Sequence, residues 1–360
     1  MTDVAPQRGA AGPLVRLGCD AQMPEGFVIG STQDVKAATG CTVVLCEKGA
    51  AGGVSVLGAA PATRETDLLR PENAVDVVHG LVLSGGSAYG LDAASGVMAF
   101  LEEKGRGVSF SGMTVPIVVG ASLFDLNVGD GSVRPDAAMG YAAAQAAATT
   151  TAVGNVGAGC GASVGKLLGP AMSMKGGLGA ASITLSGVAG TDTVTVSAVV
   201  AVNALGCIYD RAAHLPNQPI AGVLDPSQRT HGRLHVLDGL QAIMRLAATS
   251  AADEDGAGSA NAMLGANTTI GCILTDARLA KTQAARVSVM AHDGLARAID
   301  PVHTGFDGDA VFCLASGSAG EGAQPDVIGA FAALVMELAV VNAARAAQSA
   351  YGLLAASDLV

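Results

Sequence analysis

Four stretches of this sequence carry residue types whose spacing could do chemistry. Ser87, in Gly85-Gly86-Ser87-Ala88-Tyr89-Gly90, has the setting of a nucleophile elbow. That strained turn needs Gly-x-Ser-x-Gly, and Tyr89 fills the second glycine position, so the expected role of Ser87 is a helix N-cap behind a glycine turn. The glycine-rich run over residues 157–166 suggests a phosphate loop, yet Cys160 replaces its first glycine and Leu167 its magnesium-binding hydroxyl. A dinucleotide fingerprint fails there too, because Ala162 falls on the last glycine. His231 and His235 have the i, i+4 spacing of a helical zinc pair, without a glutamate beside His231 or a third ligand. Asp307-Gly308-Asp309 lacks the rest of a twelve-residue calcium loop. Neither a metal nor an organic cofactor is implied.

The elements that would hold these residues are legible as short apolar runs and helical stripes. Strands are predicted over residues 41–46, 81–83, 194–202, 269–275 and 310–314. Ser87 opens a helix to about Lys104, with Leu91, Ala94, Val97, Met98 and Leu101 on one face. Asp136 caps an alanine-rich helix through Ala148, and further helices are predicted over 235–248, 282–298 and 324–347. Such a mixture suggests sheets covered by helix layers. Residues 250–266 are small and polar and read as a loop. The chain changes abruptly from that loop to buried strand at Asn267-Thr268-Thr269, the most informative junction in the sequence.

Composition narrows the function classes. Half of the 360 residues are hydrophobic, 14% are charged and 49 are glycine, which excludes a disordered or collagen-like chain. A net charge of −11 argues against nucleic acid and against an anionic membrane surface. The longest apolar stretch, residues 327–341, carries Glu337 and is short for a membrane span. The first residues lack a basic start and an apolar run. Seven cysteines form no Cys-x-x-Cys pair, so they read as reduced, buried small hydrophobes. The expected setting is cytoplasmic.

Several ordered segments together resemble the P1/DmpA-type peptidase family, which includes β-peptidyl aminopeptidases and nylon-oligomer endo-amidases. They are residues 63–67 (TRETD), 83–91 (LSGGSAYGL), 154–166, 174–179 (MKGGLG), 201–206 (AVNALG), 267–271 (NTTIG) and 301–309 (PVHTGFDGD). The resemblance implies an α+β fold, a four-layer α/β/β/α sandwich similar to N-terminal-nucleophile hydrolases but with different connectivity. It implies one domain over residues 1–360 that cuts itself at Asn267–Thr268 into chains 1–267 and 268–360, with Thr268 becoming the nucleophile. It also implies a homo-oligomer of processed protomers, a tetramer being one arrangement.

The residue chemistry fits that expectation. A threonine hydroxyl is a weak nucleophile until a base takes its proton, and a free α-amine on the same residue can do so. Such an amine has an ordinary pKa near ~8, and the charge of Lys166 would lower it. Asp307 and Asp309 could accept hydrogen bonds from the threonine or from Lys166. Asn203, at the end of an apolar strand, could donate its amide hydrogens to a developing oxyanion. The resemblance assigns comparable roles to the matching positions.

Two departures bear on the substrate. In the aminopeptidase branch of that family a glutamate binds the substrate's free amine, and Ala121 stands at the matching place in Val118-Val119-Gly120-Ala121-Ser122. Phe124 stands where the endo-amidase branch has a tyrosine hydroxyl. The expected activity is therefore an amide-bond hydrolase leaning to endo-amidase, acting on small peptides or amide oligomers. An aminopeptidase, including one for β-peptidyl or D-amino-acid substrates, or an acyltransferase on the same scaffold is the alternative. A non-enzymatic, uncut small-molecule binding protein is a further one.

Overall fold

The computed structural model describes residues 14–18, 22–186, 193–213, 217–230, 233–250, 266–320 and 324–359. Ten strands are joined by hydrogen bonds into one sheet: β1 (Leu14–Gly18), β2 (Val28–Asp34), β3 (Thr39–Val56), β4 (Ala62–Arg64), β5 (Val78–Ser84), β6 (Val118–Ser122), β7 (Gly177–Ser186), β8 (Thr193–Asn203), β9 (Thr268–Thr275) and β10 (Ala310–Ala315). Their order is β1-β7-β8-β9-β10-β3-β5-β6-β4, with β2 also on β3. The β9/β10 and β5/β6 pairs are parallel and the rest antiparallel, so the sheet is mixed. The 18-residue β3 joins two halves. Its first part pairs β2 and β5, its register shifts between Leu45 and Ala50, and residues 51–56 pair β10.

The two halves face each other across an apolar layer. Strand periodicity sends alternate side chains to opposite faces. On β9, Ile270, Cys272 and Leu274 enter the inner cluster with Phe312, Leu314, Leu81, Leu83 and Val199, while Ile273 enters an outer one. Helices α1 (Ala93–Glu103) and α2 (Ala137–Gln145) cover the outside of the β2-β3-β5-β6 half through Val43, Leu45, Val97, Leu101 and Ala143. A third helix, α3 (Gly239–Ser250), lies beside the small strands 219–237. Helices α4 (Lys281–Ala298) and α5 (Pro325–Ala346) cover the other half. The layers are therefore helix, sheet, sheet, helix, as the sequence resemblance implied.

Small residues allow that packing. A Cβ on Gly179 of β7 would stand 1.9 Å from the Ala339 carbonyl oxygen of α5, so the helix lies directly on the strand. Although α5 is long and apolar enough to cross a membrane, much of it is buried against β7, β8 and α4. The six cysteines among the described residues are free and buried.

Several elements depart from expectation. Ser87 does not cap with its side chain: Gly86 turns the chain at φ 79° and a 3₁₀ turn, Ser87–Asp92, precedes α1. Asp136 does cap α2, accepting from the Met139 amide at 2.9 Å, but the helix stops at Gln145 because Ala148 pairs with Ile29. The helix expected from His235 starts at Gly239, since Arg233–Leu237 forms a hairpin with Val223–Thr230. His235 thus sits on a strand, which removes the helical i, i+4 geometry, while His231 lies outside the described residues. Most of the loop expected over 250–266 lies outside them as well.

Candidate active site

Thr268 opens β9 opposite Asn203, the last residue of β8, and shares the inner face with Ile270. It is buried, and its hydroxyl donates to the carbonyl oxygen of Asn267 at 2.5 Å. The same carbonyl accepts the Gly308 amide at 2.8 Å. The Asn267–Thr268 peptide is thus held between its own hydroxyl and a backbone donor. Gly308 must lack a side chain, since a Cβ there would lie 2.9 Å from Thr268 Oγ1 and 2.6 Å from the Ala60 carbonyl oxygen.

Lys166 approaches from the glycine-rich segment, which is tied to the 203–206 turn by Lys166 N–H to Leu205 and Gly165 N–H to Gly206. Its Nζ donates to Asn203 O at 3.1 Å, Asn203 Oδ1 at 2.8 Å and Ala266 O at 3.0 Å. Three acceptors match the three hydrogens of an ammonium. Burial pushes its pKa down to about 7, against the opposing pull of the Asp307 and Asp125 carboxylates. Asn203 Oδ1 also accepts the Ser163 amide, and its Nδ2 donates to Phe124 O at 3.0 Å and Ala266 O at 3.4 Å. Asn203 thus donates to the carbonyl before the Asn267–Thr268 peptide, while the Gly308 amide donates to the carbonyl of that peptide itself.

The two aspartates point to different partners. Asp307 accepts from the amide and hydroxyl of Thr304 at 2.8 and 2.6 Å, and burial with the neighbouring Asp309 carboxylate raises its pKa. Asp309 Oδ1 accepts the Thr269 amide at 2.6 Å, one residue past Thr268. Its Oδ2 accepts the backbone amide of His303 at 3.2 Å and lies 2.7 Å from His303 Nδ1. The segment is clamped from outside by the turn after β3, where Leu57 and Gly58 donate to Asp309 O and Ala60 to Asp307 O.

All five expected catalytic residues, Thr268, Asn203, Lys166, Asp307 and Asp309, thus surround one buried peptide. Phe124 joins them through its backbone carbonyl. Ala121 lies on β6, paired with Leu83 and Thr63, with its methyl in the inner apolar cluster. Sequence reading left out Gly308 as a backbone donor and the buried Asp125, which accepts from Thr39 Oγ1 and the Gly86 amide. It also left out the His303–His292 pair. His303 stands inside the PVHTGFDGD segment, but His292 is a helix residue eleven positions earlier with no local signal.

Residues 25–356 match the family model described as Peptidase family S58. An uncharacterized aminopeptidase of Mycobacterium leprae is 43% identical, with 94% of this chain and 88% of the relative covered. A 6-aminohexanoate-oligomer endohydrolase of Paenarthrobacter ureafaciens is 30% identical over 87% of this chain and 78% of its own. Among solved structures, the L-aminopeptidase D-Ala-esterase/amidase of Ochrobactrum anthropi, described as a variant of the Ntn hydrolase fold, superposes with a TM-score of 0.63. It is 18% identical, with 98% of this chain and 93% of that one covered, a likeness of fold.

Proposed function

The chain belongs to peptidase family S58 and is a hydrolase acting on peptide or amide bonds; from that premise we propose that it cuts itself at Asn267–Thr268 and then works through the new N-terminal threonine. The observation that carries this reading is the Asn267 carbonyl, which accepts both the Thr268 hydroxyl and the Gly308 amide. Thr268 Oγ1 adds to the Asn267 carbonyl carbon, and the Gly308 amide receives the charge that develops on the oxygen. The C–N bond to Thr268 then breaks, the nitrogen takes a proton, and an ester joins Asn267 to the threonine oxygen. Water splits the ester into a carboxylate on Asn267 and the Thr268 hydroxyl, leaving beside it the α-amine freed when the C–N bond broke. In turnover that amine takes the hydroxyl proton and Oγ1 adds to the substrate carbonyl. The substrate C–N bond breaks as its nitrogen takes that proton and leaves as an amine, and water then hydrolyses the Oγ1 ester to release the acid.

Mass spectrometry of the purified protein tests the reading. Two chains starting at Met1 and Thr268 are expected, and Thr268→Ala should give neither cleavage nor turnover. A wild-type chain that stays intact on long incubation would count against it.

We place the preference with N-blocked amides over free N-termini. A charged substrate amine needs a carboxylate partner, and position 121 supplies a buried methyl group instead. The M. leprae relative is named an aminopeptidase and the P. ureafaciens relative an endohydrolase, so names alone divide. Comparing each peptide with its N-acetyl form decides the matter; cleavage confined to free N-termini would overturn the preference.

A further inference from the structure

Behind the Asp307-Gly308-Asp309 segment runs a buried chain of hydrogen-bonding groups. Asp309 Oδ2 meets His303 Nδ1 at 2.7 Å, His303 Nε2 meets His292 Nδ1 at 3.2 Å, and His292 Nε2 meets the Ser55 carbonyl oxygen at 3.1 Å. The rings lie edge to face with centroids 4.7 Å apart. Asp309 is 1% exposed and His292 3%, while the His303 side chain between them is 18% exposed.

The Ser55 carbonyl can only accept, so His292 Nε2 carries a hydrogen. The contact between the rings needs one hydrogen, and the contact with the Asp309 carboxylate needs another. Three hydrogens are required on four ring nitrogens, and two neutral imidazoles bring two. The third is an added proton. Burial holds His292 in its neutral form, with a pKa pulled down to about 4, and the carboxylate touches His303 and not His292. The other arrangement, a protonated Asp309, fits less well, because that carboxyl already faces the Thr269 amide, the His303 amide and the ring.

We propose that His303 is a doubly protonated positioning residue, which keeps Asp309 ionised and aimed at the Thr269 amide and so fixes the strand end that presents Thr268. His303 sits at φ 56°, a left-handed conformation uncommon for a non-glycine residue. There its backbone amide and its ring both reach the same oxygen of Asp309. The carboxylates that act on the pair are Asp309 from the 301–309 segment and Asp293 from α4, and β3 contributes the Ser55 carbonyl. The Asn267 carbonyl accepts from Thr268 and Gly308 while His303 bonds Asp309, so its effect on the reaction passes through Asp309.

The positional role rests on Thr268 being the nucleophile; the protonation state does not. The chain is tested in its uncut form, as Thr268→Ala labelled with ¹⁵N-histidine, by NMR at neutral pH. His303 is assigned by replacing the other histidines in turn, so the measured protein always retains it. Two protonated ring nitrogens on His303 are expected, beside a neutral His292. One bare nitrogen on His303 would overturn the proposal. In the otherwise native chain, His303→Gln should slow appearance of the Thr268 N-terminus by about 10²-fold, the scale of a misplaced reacting group, and lower kcat with KM little changed. Unaltered processing in a folded His303→Gln would overturn the positioning role. A native chain that never yields a Thr268 N-terminus would refute the nucleophile and leave the NMR result to stand by itself.

Discussion

Lys166 presents three hydrogens to three acceptors in a buried place where its pKa falls to about 7. After cleavage the Thr268 amine would join it, and two neighbouring amines cannot both hold protons without repulsion. They titrate as a pair, and the first proton lost generates the base. The rate kcat/KM should rise with pH through the neutral range. In Lys166→Met the amine loses its positive neighbour, so the rising limb should move up toward the ordinary ~8 of an α-amine. A limb that stays in place would deny Lys166 this influence. Gly308 gives a second residue-scale expectation. In Gly308→Ala the new methyl would meet Thr268 Oγ1 and Ala60 O, displacing the amide that serves the Asn267 carbonyl. Self-cleavage should slow by about 10²–10³, as for other lost oxyanion donors, and gel analysis over time would read it. The gathering of Thr268, Lys166 and Asn203 at one place was legible because each sits in a distinctive segment. The Gly308 amide was not, since a backbone donor has no residue type to announce it.

At the scale of elements, the glycine-rich segment that delivers Lys166 is held by another lysine. Lys175 is fully buried, and its Nζ donates to the carbonyls of Gly159, Ala162 and Gly176 at 2.8–3.0 Å. Lys175→Met would remove the charged donor from all three carbonyls, although Ala162 O keeps the Gly176 amide and Gly159 O the Ala162 amide. The loss is on the order of 1.5–3 kcal/mol. Chemical denaturation should detect it. Burial lowers the Lys175 pKa to about 7, against 10.5 for an ordinary lysine. Between these values the unfolded chain binds the extra proton, so stability climbs as pH rises from about 7. Above about 9 the buried thiols oppose this, because burial raises Cys41, Cys207 and Cys272 to about 12 from 9.0. The climb between 7 and 9 should be shallower in Lys175→Met, and an equal slope would contradict the assignment. Sequence reading found β3, β5, β8, β9 and β10 from their β-branched cores, though it began β3 two residues late and ended it ten early. It missed β7, whose first five residues are Gly, Leu, Gly, Ala and Ala, because small residues chosen for contact with α5 carry little strand signal. The start of α3 was misplaced because Arg233–Leu237 has an apolar spacing that fits either element, and only its partner strand decides.

At the scale of the whole molecule, the proposed cut falls at the edge of β9, inside the sheet. The part after it would own β9, β10, α4 and α5, and none of these forms a separate body. Strand β9 pairs β8 along eight residues on one side, and β10 pairs β3 along six on the other. Ile270, Cys272, Leu274 and Phe312 share the inner cluster with Leu81, Leu83 and Val199 from the earlier part. Helix α5 lies directly on the glycines of β7 and packs against β8 as well. Burying an aliphatic or aromatic side chain of this kind is worth about 1.5–3 kcal/mol, and separation would expose many at once. The two chains should therefore remain together after cleavage: two bands on a denaturing gel, one species in native size exclusion. They should unfold in a single transition, because each half of the molecule completes the other's core. Release of residues 268–360 under native conditions would contradict this. It would mean that the interlocked sheets contribute less than their burial indicates.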